Sequence, residues 1–155
     1  KAFLAELNSL CQIEHQRDHY CPACYVLYER STRTLRHASA GSPPPFAFSS
    51  DDDGTVSVTK LSVASTPIGM FEDSEFTAHT YPVPAGCQIL VYSDGASEIS
   101  LADDHQLKPT DFNQLIARVA SSPDWTLDGL IDELRALTLL EAFEDDLSLI
   151  RVRFD

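Results

Sequence analysis

Apolar residues recur at helical spacing near both ends of the chain. The first such run predicts an amphipathic helix from residue 2 to about residue 15. Two later runs predict helices that bury one face each; their apolar positions are Phe112, Leu115, Ile116, Val119 and Ala120, and then Leu127, Leu130, Ile131, Leu134 and Leu137. Thr126 stands where it can cap the last of these helices. The three patterns place helices at the start and in the final third of the sequence.

Between these helices the pattern changes to short runs typical of strands. "ACYVLYER" and "TLRHAS" predict a hairpin, and "VSVTKLSV", "EFTAHTYPV" and "CQILVY" predict further strands. "AGSPPPFAF" predicts an exposed loop or a strand edge, because three prolines supply no amide donors. "LIRVRF" predicts a last strand with Ile150, Val152 and Phe154 on one face and two arginines on the other. This order of elements predicts an α+β fold with helices packed on antiparallel sheet.

Length and charge restrict the function further. The 155 residues predict one domain, and no apolar run is long enough to cross a membrane. The 24 acidic and 11 basic residues give a net charge of −13, which repels nucleic acid and anionic lipid. We therefore expect no nucleic-acid or membrane partner. A site for phosphate on so acidic a chain would need Arg side chains or metal ions.

The chain has four cysteines, Cys11, Cys21, Cys24 and Cys87, and "CPAC" has the C-x-x-C spacing of redox and zinc sites. If Cys24 begins a strand, however, residues three apart point to opposite faces and the two sulfurs diverge. No second pair of ligands completes a zinc site. The alternative interpretation is that the cysteines are small buried apolar residues in a reducing cytoplasm.

"YSDGASE" directly follows a predicted buried strand. Asp94 and Gly95 are typical of a turn, because Asp bonds nearby amides and Gly accepts positive φ. The same residues could form a site, in which the sheet holds a carboxylate and the glycine allows close approach to the backbone.

A second acidic segment, Glu144, Asp145 and Asp146, precedes the last strand. If the strands beside these two segments are antiparallel neighbours, Asp94 and Asp145 lie at the same edge of one sheet. Carboxylates gathered without basic partners either acquire raised pKa values or bind hard cations such as Mg²⁺ and Mn²⁺. The alternative is that the acids only flank a loop, as the "DDD" of residues 51–53 would do at a hairpin tip.

Five segments in order, "ELNSL", "CYVLYERSTRTLRHASAGSPPP", "STPIGM", "VPAGCQILVYSDGASE" and "EDDLSLIRVR", resemble landmarks of the PPM (type 2C-like) metal-dependent protein phosphatases, in their bacterial SpoIIE/RsbU branch. The resemblance covers nearly the whole chain. It implies a sandwich of two antiparallel β-sheets flanked by α-helices, with two Mn²⁺ or Mg²⁺ ions at one end. It also implies that Asp94 and Asp145 are metal ligands, that Gly95 gives room beside the ions, and that Asp146 is a weaker candidate.

Two departures from the family pattern stand out. The Asp-Gly-x-Gly-His-Gly stretch expected upstream of "ELNSL" is not in the sequence, so residues 1–155 are expected to be a phosphatase domain that is incomplete at its N-terminus. The alternative is that the full-length protein has lost the motif. The other departure is Ala40-Gly41-Ser42, where relatives have Ala-Gly-His.

The activity implied by the resemblance is hydrolysis of a phosphoserine or phosphothreonine by a metal-activated water, with no catalytic side chain beyond the metal ligands. The implied setting is cytoplasmic signalling behind a receiver or sensor domain. A phosphorylated anti-sigma-factor antagonist is the expected substrate, and a homodimer is one assembly that the resemblance allows. The alternatives are a pseudophosphatase that serves as a binding platform for a sigma factor or signalling partner, and a plain interaction domain in which "SDG" and "EDD" are turns.

Overall fold

The computed structural model describes residues 2–12, 19–51, 53–101, 105–122, 124–138 and 143–155. Its helices are α1 (Ala2–Leu10), α2 (Pro109–Ala120) and α3 (Leu127–Arg135); its strands are β1 (Ala23–Glu29), β2 (Thr34–Ala40), β3 (Phe46–Ser50), β4 (Val56–Lys60), β5 (His79–Pro82), β6 (Gln88–Tyr92) and β7 (Leu149–Arg153). None of the helices within these ranges has the length and apolar character of a membrane span. The chain forms two compact units, each made of two stretches of sequence.

The first unit comprises Lys1–Pro44 and Lys60–Pro84 and contains a three-stranded sheet in the order β1-β2-β5. Both strand pairs are antiparallel, so the predicted hairpin is confirmed. Helix α1 ends at Leu10, earlier than predicted, and residues 13–15 of the predicted helix lie outside the described residues. A small core contains Leu4, Ala38, Ala40, Ile68 and Phe76.

Asn8 links α1 to a loop of the same unit. Its side chain is only 2% exposed. The amide nitrogen donates to the carbonyls of Phe71 at 2.9 Å and Glu72 at 3.1 Å, and Oδ1 accepts from the Gly69 amide at 2.8 Å. All polar atoms of this buried amide therefore have partners, which is the condition for burying it without a large penalty.

The second unit comprises Pro45–Thr59 and Ala85–Asp155 and contains a four-stranded sheet in the order β4-β3-β6-β7. Strands β3 and β7 are both antiparallel to β6. The predicted stripes of α2 and α3 supply Phe112, Ile116, Leu130 and Leu134 to its core, which confirms both helices. Thr126 caps α3 as predicted, since its hydroxyl accepts from the Gly129 amide at 3.0 Å.

The structure corrects one prediction about the second unit. "FAF" is not an exposed loop or edge: Phe46, Ala47 and Phe48 are at most 3% exposed, in a strand with neighbours on both sides. The prolines end before this strand, so they remove no amide from its hydrogen-bond ladder. The predicted alternation along β7 does not say which face meets the core: Arg151 stacks over the core residue Trp125 at 4.5 Å, while Ile150 is 58% exposed.

Candidate functional site

The pairing of β6 with β7 brings the two acidic segments to one end of the sheet. Tyr92 pairs with Leu149, and one residue further the Ser93 amide donates to the Ser148 carbonyl at 3.0 Å. The exit from β6 and the entry to β7 are therefore adjacent. This is the antiparallel arrangement that the sequence interpretation required for Asp94 and Asp145 to share an edge.

The "SDG" segment forms a single 3₁₀ turn, Asp94–Ala96, directly after β6. The turn is closed by the Ala96 amide, which donates to the Ser93 carbonyl at 3.1 Å. The hydroxyl of Ser93 bridges to the other acidic segment. It accepts from the Ser148 amide and donates to the Asp146 carbonyl, each at 2.9 Å. The segment is thus both a turn and a contact with the second acidic segment.

Gly95 lies against the backbone of the second acidic segment. A Cβ atom added at this position would stand 2.7 Å from the Asp146 carbonyl oxygen and 3.2 Å from that of Asp145. Both neighbours are backbone atoms, which cannot move aside as a flexible side chain could. Only glycine therefore allows this separation between the two segments.

The carboxylates of the two segments are each oriented by a backbone amide. Asp94 Oδ1 accepts from the Gly95 amide at 3.0 Å, and Asp145 Oδ1 accepts from the Asp146 amide at 2.7 Å. Within the described ranges, the ion pairs include Arg118–Glu133, Arg135–Asp132 and Arg153–Asp155, and none joins Asp94 or Asp145 to a basic side chain. Oxygen donors without basic partners are the chemistry that Mg²⁺ and Mn²⁺ prefer.

The donor set of this part of the chain is nevertheless small. Within the described ranges, no group of three or more His, Cys, Asp and Glu side chains is placed to hold a metal ion. Asp146 contributes its carbonyl to Ser93, and Glu144 accepts a hydrogen bond from the Ser100 hydroxyl at 2.9 Å. The residues present therefore fit hard-cation chemistry as part of a site that further donors would complete.

Buried aromatic side chains pack around the end of β6 that precedes Ser93 and Asp94. Tyr92, the last residue of β6, is 4% exposed and packs against Phe46 and Phe112, with ring centroids 5.6 and 5.1 Å away. Burial raises the pKa of its phenol, so the side chain stays neutral at physiological pH. The aromatic cluster fixes the strand end from which Ser93 and Asp94 project.

Other residues that the sequence singles out make local contacts. Asp51 and Asp53 flank the β3–β4 hairpin tip, where Asp53 accepts from the Thr55 amide at 3.0 Å; Asp52 lies outside the described residues. Ser42 offers its carbonyl to the Ser39 hydroxyl at 2.9 Å. His37 and His79, to which the sequence assigns no role, pair across β2 and β5.

The cysteines are free thiols. Cys87 is buried, as predicted for a small apolar residue, and Cys11 and Cys24 are partly buried. Cys21 is exposed, which corrects the interpretation that all four are buried. The reason is that Cys21 precedes β1, in an isolated backbone bridge to Ile68 rather than in the core.

Sequence reasoning missed the role of Ser93. Its position immediately before Asp-Gly is the only available signal, because Ser at such positions often bonds nearby backbone groups. Which backbone groups it reaches depends on the register of β6 and β7.

Known proteins resemble this chain over most of its length. A family model described as Stage II sporulation protein E (SpoIIE) matches residues 1–155. Phosphoserine phosphatase RsbP of Bacillus subtilis (strain 168) is 36% identical over 92 residues, which are 59% of this chain and 22% of RsbP. The chain therefore corresponds to under a quarter of that relative's length.

Two solved structures share the fold. The SiaA-PP2C domain of Pseudomonas aeruginosa superposes with a TM-score of 0.69 at 19% identity, covering 99% of this chain and 68% of that one. The manganese-presoaked phosphatase domain of the cell fate determinant SpoIIE from Bacillus subtilis gives a TM-score of 0.65 at 20% identity. The superposition covers 98% of this chain and 64% of that one. These likenesses confirm the predicted α+β class with two antiparallel sheets. Because the family model spans residues 1–155, the chain belongs to the SpoIIE family.

Proposed function

We propose that the chain is part of a metal-dependent protein serine/threonine phosphatase domain. The observation that carries the proposal is the placement of two aspartate-bearing segments at one end of the β6–β7 pair, where Gly95 lies against the backbone of Asp145 and Asp146. Asp94 and Asp145 would hold Mn²⁺ or Mg²⁺, with Asp146 as a weaker candidate. When bound, such ions polarise a phosphoryl oxygen and lower the pKa of a water nucleophile.

The chain's own contribution is to hold the carboxylates in place. One oxygen of Asp94 and one of Asp145 accept from backbone amides, which fixes each side chain while leaving its second oxygen for a cation. The absence of basic partners, within the described residues, keeps both groups available for cations.

The proposed substrate and setting are based on what the family resemblance implies. RsbP is named a phosphoserine phosphatase, and we propose a phosphorylated regulatory protein of the anti-sigma-factor-antagonist type as substrate here. An upstream receiver or sensor domain and a cytoplasmic location complete the proposal. Further metal donors would come from a segment upstream of α1.

The test is phosphatase activity of the complete protein against a phosphoserine peptide, with Mn²⁺ varied. Asp94→Asn and Asp145→Asn should each abolish turnover, because an amide carries no charge to hold the cation. The thermal midpoint of the metal-free variants should stay level or rise, since one of several neighbouring acids is removed. Asp51→Asn, at the hairpin tip, is the matched control and should leave the rate unchanged. Full activity in Asp94→Asn would refute the proposal.

A second function, a binding platform for a sigma factor or signalling partner, is favoured by one observation. In the parts of the chain that the structure describes, no three metal-donor side chains converge. A platform predicts no Mn²⁺-dependent turnover in the wild-type complete protein, together with partner binding that survives replacement of both Asp94 and Asp145. The phosphatase predicts turnover that both replacements remove.

A further inference from the structure

The hydrogen-bond ladder between β6 and β7 changes its acceptor at Ser93. In a regular antiparallel pair, two opposed residues exchange two backbone bonds. Here the Ser93 amide donates to the Ser148 carbonyl, but the Ser93 carbonyl is turned away and accepts from Ala96. The Ser148 amide bonds instead to the Ser93 hydroxyl at 2.9 Å. The side chain therefore takes over the acceptor position that the backbone has left.

The Ser93 hydroxyl also donates a hydrogen bond. Ser93 Oγ donates to the Asp146 carbonyl at 2.9 Å, so one atom accepts from one residue and donates to another on the strand entry. A hydroxyl is the smallest side chain that both donates and accepts at one atom. The bridge joins the residue before Asp94 to the residue after Asp145.

We propose that Ser93 is a positioning residue, whose hydroxyl fixes the separation of Asp94 from the Asp145–Asp146 segment. This inference rests on the proposed function, because it assigns the two aspartates to one metal site. The Ser93 hydroxyl bonds to backbone groups of Asp146 and Ser148, so it acts through the residues that it holds. Groups that orient metal ligands in this way typically alter metal affinity by about 10- to 100-fold when they are removed.

Three variants of the complete protein test whether the Ser93 hydroxyl positions the aspartates, or whether loss of any nearby hydroxyl has the same effect. Ser93→Ala removes both hydrogen bonds. Ser93→Thr keeps the oxygen, and the extended backbone of Ser93, at φ −82° and ψ 165°, suits a β-branched residue. Ser148→Ala is the matched control, because Ser148 takes part in the bridge only through its backbone amide.

Two measurements are made on each variant: the hydrogen-exchange rate of the Ser148 amide without metal, and the Mn²⁺ dissociation constant by calorimetry. In Ser93→Ala, exchange should accelerate and Mn²⁺ should bind about tenfold more weakly or worse. Ser93→Thr and Ser148→Ala should match wild type in both measurements. This pattern supports the inference.

The outcomes that overturn the inference differ from those that overturn the proposed function. Unchanged exchange in Ser93→Ala shows that the bridge is not formed, and faster exchange with unchanged Mn²⁺ affinity shows that it positions no ligand. Mn²⁺ binding by wild type without phosphatase turnover refutes the proposed function alone, and the affinity comparison still decides the role of Ser93. A wild-type protein that binds no Mn²⁺ overturns both.

Discussion

Gly95 and Ser93 flank Asp94 and support it by different means. Ser93 makes hydrogen bonds to the opposite segment, whereas Gly95 contributes by lacking a side chain. The backbone angle of Gly95 is not in the left-handed region that favours glycine. Glycine is therefore required at this position because of space alone. The loss of stability caused by one added methyl group then measures how closely the two segments approach.

Replacing Gly95 with alanine should force the segments apart. The added carbon would stand 2.7 Å from a backbone oxygen, and overpacking of this kind costs about 1–3 kcal/mol. We expect the free energy of unfolding in urea to fall by that amount. Gly129→Ala is the control, because there the nearest atom is a side-chain hydroxyl at 3.2 Å and the gain in helix propensity, up to about 1 kcal/mol, opposes the crowding. Equal stability of Gly95→Ala and wild type would contradict the geometry.

At the scale of elements, the segment before α3 is held against the middle of β7. Trp125, just before α3, receives the stacked guanidinium of Arg151 and a hydrogen bond from it to its carbonyl. The start of α3 is fixed by Thr126, whose side chain satisfies one of the amides that a helix leaves free in its first turn.

Thr126→Ala should destabilise the second unit by about 1 kcal/mol, the usual effect of losing an N-cap. Thr126→Ser should restore most of the loss, because it keeps the hydroxyl. Thr110→Ala offers a comparison in α2, whose N-cap is Lys108 without a side-chain cap, and should change stability by less than about 0.5 kcal/mol. Denaturant midpoints with an unchanged slope are the measurement. A loss in Thr110→Ala as large as in Thr126→Ala would argue against the cap.

The elements differ in how far sequence alone predicts them. Helices α2 and α3 were predictable because four or five apolar residues repeat at helical spacing over a long window. Strand β3 was not, because "FAF" is short and follows three prolines, and its burial depends on β6 lying beside it. The exposed Ile150 shows the same limit, since alternation in a strand defines two faces without saying which one meets the core.

The site was predictable to the level of segments. The adjacency of "SDG" and "EDD" required only that β6 and β7 be antiparallel neighbours, and they are. The hydrogen bonds of the Ser93 hydroxyl were not predictable. Its partners depend on the exact register of β6 against β7, and a shift of one residue would change them.

At the scale of the whole molecule, the free energy of unfolding at acidic pH depends on a buried histidine as well as on carboxylates. His37 is 4% exposed, and its ring lies 6.0 Å from that of His79 on the paired strand. Burial lowers the pKa of His37 below its ordinary value of 6.5, and the nearby His79 lowers this pKa further. The unfolded chain, in which His37 titrates normally, then binds the proton more readily than the folded chain does.

We therefore expect stability to fall as the pH drops below about 6.5, a window above the titration of the carboxylates. His37→Asn should remove part of this slope between pH 7.5 and pH 5.5 in thermal midpoints. His19→Asn, at an exposed position, should leave the slope intact. An identical pH dependence in wild type and His37→Asn would show that His37 does not contribute.

The bridge between Ser93 and Asp146 joins residues 53 positions apart, which has a consequence for synthesis on the ribosome. Asp94 is translated long before Asp145, and until β7 emerges, one edge of β6 has no strand to pair with. An open strand edge is prone to pair with other chains. A nascent or prematurely terminated chain that ends before residue 145 thus carries this exposed edge and only one of the two acidic segments, so translation must reach the last strand before the candidate site can form.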